Sequence, residues 1–451
     1  MIVMKFGGTS VGSGEAIARV ADIVAATRDR RPLVVVSAMA RVTDRLLEAA
    51  ARAGAGDLHG ALTILEELRE RHEAAIAEGV CTPAARDAAG ERFATHAAEL
   101  SLMLEALALL RERGPKADDA IASYGELWSS EIVSQALVAR GAPGTHVDAR
   151  RVVITDATFG RATPDRAAIA ERARALPGAD VQAGRIPVLQ GFVGSTPDGV
   201  PTTLGRGGSD YTAALLGAAL DAEEVEIWTD VDGLMTADPR LVPSAQTLPA
   251  ASYDEAAELA YFGAKVLHPA TVLPLVERGI PVRIKNSMRP AHPGTIVSRR
   301  AAPSAGAVRS IASRRGVTTL TLRAPRMLGA HGFLKTMFDI FDRHGAAVDV
   351  VTTSEVSVSL SLEQAVLDAA LLADLERLGD VTAHADRAII CVVGEGLKET
   401  PGIAARIFRA VGPANIEMIS QGASEINVTF ILRAADAPDT VRRLHAEFFP
   451  E

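Results

Sequence analysis

Residues 4–15 read MKFGGTSVGSGE. Lys5 closes a short apolar run, two adjacent glycines follow, and small hydroxylated residues and more glycine come after them. Residues 2–6 are rich in strand formers, and from Glu15 to Ala26 apolar residues recur at helical spacing. The stretch is therefore the turn of a strand–turn–helix unit. Such turns cradle phosphates, because their backbone N–H groups are bare and aimed at the ligand. This one fits neither familiar version. A P-loop carries its lysine directly after the last glycine, but Ser13 stands there, behind Gly7 and Gly12. The dinucleotide fingerprint spaces its first two glycines one residue apart, whereas Gly7 and Gly8 are adjacent.

Strand and helix keep alternating downstream. PLVVVSAM (32–39) is wholly apolar, as strands buried in a parallel sheet are. Residues 60–112 are rich in Ala, Leu and Glu and predict a helical excursion. RRVVIT (150–155), RIPVLQGFVG (185–194), VEIWTDV (225–231) and IPVRIKN (280–286) predict further strands with helices between them. The expected first domain is α/β with a mostly parallel sheet, over residues 1–300. SRRAAPSAGA (298–307) reads as a linker. Beyond it the chain repeats itself: GFLKTMFDIF and SEVSVSLSL, within 332–362, return about 70 residues later as GIAARIFRAV and SEINVTFIL. Leading strands at 317–323 and 387–393 complete a βαββα pattern in both copies. Two small α+β modules are expected, 308–383 and 384–451, intertwined. Such a tandem suits sensing better than a second catalytic centre.

The chain has 451 residues, too many for one core, and is 48% hydrophobic and 23% charged, ordinary for a globular protein. Cys81 and Cys391 lie far apart, which argues against a disulfide framework or a cysteine metal site and fits a reducing, cytoplasmic setting. Met1–Phe6 has no basic leader and no cleavage signal, so it reads as a strand and not as a signal peptide. No apolar run is expected to span a membrane. A net charge of −9 with dispersed basic residues disfavours nucleic acid. Anionic ligands must then be held by a few local cations.

Three more stretches combine glycine with charge. TTLGRGGSDYTAALLGAAL (202–220) puts Gly205, Arg206, Gly207, Gly208, Ser209 and Asp210 directly before an apolar helix. Its N–H groups attract anions and the arginine adds bidentate recognition. A plain turn capped by Asp210 is the alternative. WTDVDGLMTADPR (228–240) holds three aspartates and Arg240, and YFGAKVLHP (261–269) offers Lys265. HEAAI (72–76) begins like a zinc-protease helix, but Ile76 replaces the second histidine, and GGSDY lacks the closing glycine of a nucleophile elbow. The ten histidines form no ligand cluster, so metal ligands stay unassigned.

In this order, and together with SYGELWSS (123–130), the stretches resemble the aspartate kinases of the amino-acid kinase family. The resemblance covers nearly the whole chain, and the repeats are similar to that family's ACT modules. Glutamate 5-kinase and acetylglutamate kinase share the fold but not this combination. The resemblance implies a three-layer αβα kinase domain followed by ferredoxin-like ACT modules. It implies transfer of the γ-phosphoryl group of ATP, with Mg²⁺, to the side-chain carboxylate of L-aspartate, giving 4-phospho-L-aspartate. A carboxyl with a pKa near ~3.9 is already ionised and needs no general base. The obstacle is an anion approaching a polyanion, so positioning and charge neutralisation carry the catalysis. On this resemblance Lys5 and Asp210 are catalytic, Lys5 at the transferring phosphoryl and Asp210 orienting it and the Mg²⁺–phosphate assembly. Gly7 and Gly8 keep the approach open, since a side chain at either would block it. Thr43, Glu126, Arg206, Gly207, Gly208 and Ser209 form the aspartate pocket, Arg206 on a carboxylate and Glu126 on the ammonium. Thr229, Asp230, Met235, Arg240, Lys265 and Val266 contact the nucleotide.

The first ACT module is most similar to those of lysine-inhibited monofunctional aspartate kinases. That similarity implies an effector site lined by Met327, Phe333, Leu334, Val348, Asp349, Ser354 and Glu355, with Asp349 or Glu355 facing the cationic side chain of lysine. Ala330 and Ala347 stand where lysine-sensitive relatives carry serines, each a lost hydrogen bond of ~0.5–1.5 kcal/mol. ACT modules pair edge to edge, so a homodimer or a tetramer is expected. Another amino-acid kinase, or a catalytically silent ACT-type sensor, is the alternative; intact Lys5, Arg206, Asp210 and Lys265 weigh against the sensor.

Overall fold

A computed structural model describes residues 1–263, 267, 269–300, 307–328, 330–422 and 424–450. They cluster into two compact units. The first is Met1–Gly233, Pro249–Tyr253 and Val266–Ala301; the second is Leu234–Leu248, Asp254–Lys265 and Ala302–Glu451. The boundary expected at residue 300 is therefore crossed by two earlier segments that cluster with the second unit.

The strands of the first unit are β1 (Ile2–Phe6), β2 (Pro32–Val36), β3 (Gly144–His146), β4 (Ile186–Gln190), β5 (Val193–Ser195), β6 (Pro201–Thr203), β7 (Glu224–Thr229), β8 (Ala250–Ser252), β9 (Val282–Asn286) and β10 (Thr295–Ser298). Its helices are α1 (Gly14–Ala26), α2 (Val42–Gly54), α3 (Leu58–Gly79), α4 (Pro83–Leu110), α5 (Pro115–Ala139), α6 (Arg166–Ala173), α7 (Ala179–Gln182), α8 (Gly208–Ala219) and α10 (Pro269–Arg278). All of α9 (Tyr253–Phe262) but Tyr253 clusters with the second unit. Eight strands form one sheet in the order β3-β4-β2-β1-β7-β9-β10-β8. Every pairing in it is parallel except β9 with β10. In the middle, Lys5 of β1 lies level with Val35 of β2 and Ile227 of β7. Apolar runs such as PLVVV are buried along their whole length there, because helices cover the sheet on both faces.

Three expectations need correcting. RRVVIT is not a strand: Asp148 caps a 3-10 turn over Ala149–Arg151, and only single bridges at Ile154 and Thr155 follow. The sheet edge is the three-residue β3 instead, too short to leave a periodic signal. RIPVLQGFVG is two strands, broken where Phe192 takes φ +67°. A side chain at Gly191 would sit 2.5 Å from Ser209 Cβ, so the break makes room for the glycine-rich loop before α8. Finally, α4 is by length and composition apolar enough to cross a membrane. Leucine carries most of that character; one face (Ala89, Phe93, Ala97, Leu100, Leu104) packs into the core of this unit, while Leu102, Leu109 and Leu110 are exposed.

The second unit contains β11 (Ser310–Arg323), α11 (Phe333–Arg343), β12 (Val348–Thr353), β13 (Ser357–Glu363), α12 (Ala369–Glu376), β14 (Asp380–Val393), α13 (Ile403–Val411), β15 (Met418–Gln421), β16 (Asn427–Arg433) and α14 (Ala437–Phe448). Its sheet runs β12-β13-β11-β14-β16-β15. The two long strands serve two modules. Val317–Arg323 pairs with β13 on one side and with the first half of β14 on the other. Ser310–Arg315 pairs with Ala388–Val393, which pairs in turn with β16. The second module thus takes its fourth strand from residues before the first. A bulge at Gly316 (φ +75°) separates the halves and shifts the alternation by one residue. Ile311 then faces the core under α13 and α14, while Leu320 and Leu322 face the core under α11 and α12.

Candidate active site

The site lies at the carboxyl ends of β1 and β2, where the chain must leave the sheet. Gly7 N–H donates to Trp228 O at 3.1 Å, and Ser13 caps α1 by accepting from Ala16 N–H. Lys5 Nζ is 2.7 Å from Asp210 Oδ1, and both side chains are largely buried. Asp210 sits in the first turn of α8, a favourable place for an acid, and Gly207 (φ +71°) bends the chain into that turn. Gly8 tolerates no side chain, because a Cβ would come within 2.8 Å of Ala38 O. Gly7 differs from expectation: a Cβ there would make only ordinary contacts, at 3.6 Å from Lys5 Nζ and Trp228 O.

These groups open into a cavity of about 380 Å³ lined by Lys5, Gly8, Thr43, Glu126, Gly207, Gly208, Ser209 and Asp210, with Arg41, Asp44 and Phe192. Glu126, on α5, is only 4% exposed. Its Oε2 has no hydrogen-bond partner among the described residues. Burial pushes its carboxyl up to about 8, with the Ala38 N–H pulling the other way. A buried carboxyl with one oxygen left unpartnered on a cavity wall is a place for a cation.

Two positioning residues were missed in the sequence. Asp119, seven residues before Glu126 on the same face of α5, accepts from Gly160 N–H, Thr203 N–H and Thr203 Oγ1 at 2.7–3.0 Å. It holds the end of β6, which runs directly into the loop at Gly205. An acid buried at helical spacing among apolar residues was the only hint available. Arg71 donates from Nη1 to Ala40 O (2.8 Å) and from Nη2 to Gly12 O (3.1 Å), clasping the two loops that flank Lys5. Burial pulls its guanidinium below the usual value. In the charged run ELRERHE nothing distinguishes it from a solvated helix face.

Other expected site residues are not brought into the cavity wall. Arg206, between two lining glycines, is exposed. Thr229 Oγ1 donates to Asp230 Oδ1 at 3.2 Å at the end of β7, outside the wall. Met235 and Arg240 cluster with the second unit. There Met235 O accepts from Ser310 Oγ, and the Arg240 guanidinium, 86% exposed, pairs with Asp238 at 2.7 Å. Lys265 and Val266 lie outside the described residues. Among those residues no group of three or more His, Cys, Asp or Glu could hold a metal ion.

The seven effector-site residues all fall in the module containing α11. Met327, Phe333 and Val348 pack partly buried against its core, Leu334 is exposed, and Ser354 and Glu355 form the β12–β13 turn. Asp349 is not open. Its buried carboxylate is held by the Arg314 guanidinium and accepts from the Tyr261 hydroxyl.

At the carboxyl ends of a mostly parallel sheet, a glycine turn preceded by lysine and a glycine-rich helix start line one cavity. A model described as the amino acid kinase family matches residues 1–286 and an ACT domain model matches 390–448; the chain belongs to the amino acid kinase family. Over the full chain the match narrows to aspartokinases. Lysine-sensitive aspartokinase 3 of Escherichia coli (strain K12) is 39% identical, over 100% of this chain and 99% of that protein. Two crystal structures of E. coli aspartokinase III superpose with 39% identity. The complex with aspartate and ADP (R-state) has a TM-score of 0.83 and covers both chains fully; the complex with lysine and aspartate (T-state) has 0.85 and covers 100% and 99%.

Proposed function

We propose that the chain transfers the γ-phosphoryl group of ATP to the side-chain carboxylate of L-aspartate, as an aspartokinase. The observation that carries the reading is the pairing of Lys5 with Asp210 and, on the same cavity, the buried Glu126 with its Oε2 unpartnered among the described residues. Lys5 meets the developing charge on the transferring phosphoryl, and Asp210 fixes its ammonium so that no reorganisation is needed at that moment. Gly8 lets backbone come close, and Arg71 sets the spacing of the two loops. Glu126 takes the ammonium of aspartate; Thr43 and Ser209 hydrogen-bond the acceptor, and Arg206 meets a carboxylate when the acceptor is bound. Thr229, Asp230, Met235, Arg240, Lys265 and Val266 serve the nucleotide. The carboxylate of Asp210, an oxygen donor beside the phosphate site, suits Mg²⁺ with the nucleotide's own phosphates as its main ligands. When bound, the ion neutralises phosphate charge.

Lysine is the proposed feedback inhibitor, at the module that holds Met327, Phe333, Leu334, Val348, Ser354 and Glu355. With Asp349 engaged by Arg314, exposed Glu355 is the acid open to a cationic side chain. The apolar pair Leu334 and Phe338, exposed one turn apart on α11, supports a homodimer through the ACT modules. Both cysteines are free, in keeping with a cytoplasmic enzyme serving lysine biosynthesis. The test is ADP release, with hydroxylamine trapping of the acyl phosphate, using L-aspartate against L-glutamate and N-acetyl-L-glutamate. Signal with aspartate alone supports the reading, and signal only with another acid overturns it. Lysine titration in the same assay tests the regulation, and no inhibition up to millimolar lysine would overturn that part.

A further inference from the structure

We propose that Ser10 and Ser287 are positioning residues for the nucleotide: their hydroxyls form a buried bridge that fixes the end of β7, at Thr229, against the glycine turn after Lys5. The proposal rests on the reading that the nucleotide lies along these two segments.

Ser10 follows the glycine turn and Ser287 directly follows β9, and they are 1% and 2% exposed. Their Oγ atoms lie 2.8 Å apart across 277 residues of sequence. Thr229 O accepts from Ser287 N–H at 2.9 Å and from Ser287 Oγ at 3.1 Å. A hydroxyl has one proton to give. With that of Ser287 on Thr229 O, Ser10 donates to Ser287. The other acceptor within reach of Ser10, Trp228 O at 3.4 Å, already takes Gly7 N–H at 3.1 Å. The result is a one-way chain from the turn, through Ser287, to Thr229. At its start Ser10 N–H donates to Gly7 O at 2.9 Å, so the serine that begins the chain also closes the glycine turn.

The sheet is already held without this bridge. β1 pairs with β7 as far as Phe6 and Trp228, and β7 pairs with β9 as far as Thr229 and Asn286. There the segments part. The groups that serve the nucleotide, Gly8 on one side and Thr229 and Asp230 on the other, lie at or past that point. The hydroxyl chain carries the strand alignment one step beyond the ladder, to where the chemistry is. Asn286 extends the same hold, because its Nδ2 donates to Asp232 Oδ1 at 2.8 Å. The loop after Thr229 is thus gripped at two places by the end of β9. A nucleotide that spans turn and loop gains from having their separation set before it arrives, since otherwise its binding must also order the two segments. Neither serine has to touch the nucleotide for this.

The experiment compares the full-length wild-type protein with Ser10→Ala, Ser287→Ala and the double variant. Binding of Mg-ADP is measured by calorimetric titration without acceptor, and the KM values for Mg-ATP and L-aspartate by initial-rate ADP release. Urea titration checks that each variant is folded. Each single substitution should weaken Mg-ADP binding and raise the KM for Mg-ATP roughly 5- to 20-fold, with the KM for aspartate kept within about twofold. The double variant should lie within about twofold of the weaker-binding single one, because breaking either link breaks the chain. Losses that multiply, an unchanged affinity for Mg-ADP, or equal rises in both KM values would overturn the proposal. Ser287→Ala keeps the N–H bond to Thr229 O, so it carries the test should Ser10→Ala fail to fold. Mg-ADP binding that weakens as expected in a protein whose wild type does not phosphorylate aspartate would uphold this proposal and overturn the aspartokinase reading alone.

Discussion

Glu126 makes the affinity for aspartate depend on pH in a way that can be worked out beforehand. Its carboxyl is pushed up to about 8 in the free site, and the ammonium of the acceptor binds the ionised form. Below that value the free protein must first give up a proton. At pH 7 about one site in eleven is ionised, so the apparent KM for aspartate lies roughly 11-fold above its alkaline limit. At pH 6.5 the factor is about 33 and at pH 8.5 about 1.3, a fall of roughly 25-fold across the window. The acceptor's own amine stays protonated throughout, so the change belongs to the protein. The assay is initial-rate ADP release at saturating Mg-ATP, with aspartate titrated at each pH. Glu126→Gln should show a raised KM that no longer varies with pH. A wild-type KM that is flat between pH 6.5 and 8.5, or a Gln variant that keeps the slope, would refute the reasoning.

Stability should move with the same group: the folded protein keeps the Glu126 proton up to about 8, while the unfolded chain releases it in the usual carboxylate range. Stability therefore falls as pH rises between those values, and urea titrations of Glu126→Gln at pH 6 and 8.5 should show a smaller difference than wild type. Lys5→Met should lower kcat about 1000-fold in the ADP assay while the far-UV spectrum is kept, and a loss under tenfold would contradict its role at the phosphoryl. Asp119→Ala leaves Gly160 N–H, Thr203 N–H and the Thr203 hydroxyl without their acceptor inside the fold. It should destabilise by about 3 kcal/mol or more in urea unfolding, and a change below about 1 kcal/mol would mean that water replaces the carboxylate. With Glu355 as the acid that meets lysine, Glu355→Gln should raise the half-inhibiting lysine concentration severalfold while Arg314→Gln, which releases Asp349, leaves it within about twofold; a severalfold drop with Arg314→Gln would place the effector's ammonium at Asp349 instead.

Long-range structure was legible where the chain obeys simple periodicity. PLVVV and VEIWT announce buried parallel strands, and the lysine before Gly7 and Gly8 announces a phosphate turn, because backbone needs there leave few residue choices. Lys5, Thr43, Glu126 and the Gly207–Asp210 loop do meet in one cavity. What stayed hidden depends on contacts between distant residues. Asp119 and Arg71 act through hydrogen bonds to backbone 41 to 84 and 31 to 59 residues away, which no local pattern records. Asp349 was read as open to a ligand, yet Arg314 and Tyr261 occupy it, both brought in from other elements of the second unit. RRVVIT failed as a strand because burial alone makes residues apolar, whether or not they join a ladder.

The sharing of β11 between two modules has a consequence for anyone who cuts the chain. A fragment starting at residue 384, where the repeat suggests a natural beginning, would lack Ser310–Arg315 and leave Ala388–Val393 with one side bare. That bare side is a ready template, and two such fragments can satisfy each other by lending strands. A dimer seen with the isolated fragment would then report the scissors and not the enzyme. Deleting one residue between 310 and 315 would be worse than removing the whole stretch, because it would turn Ile311 out of its core while keeping the ladder in place.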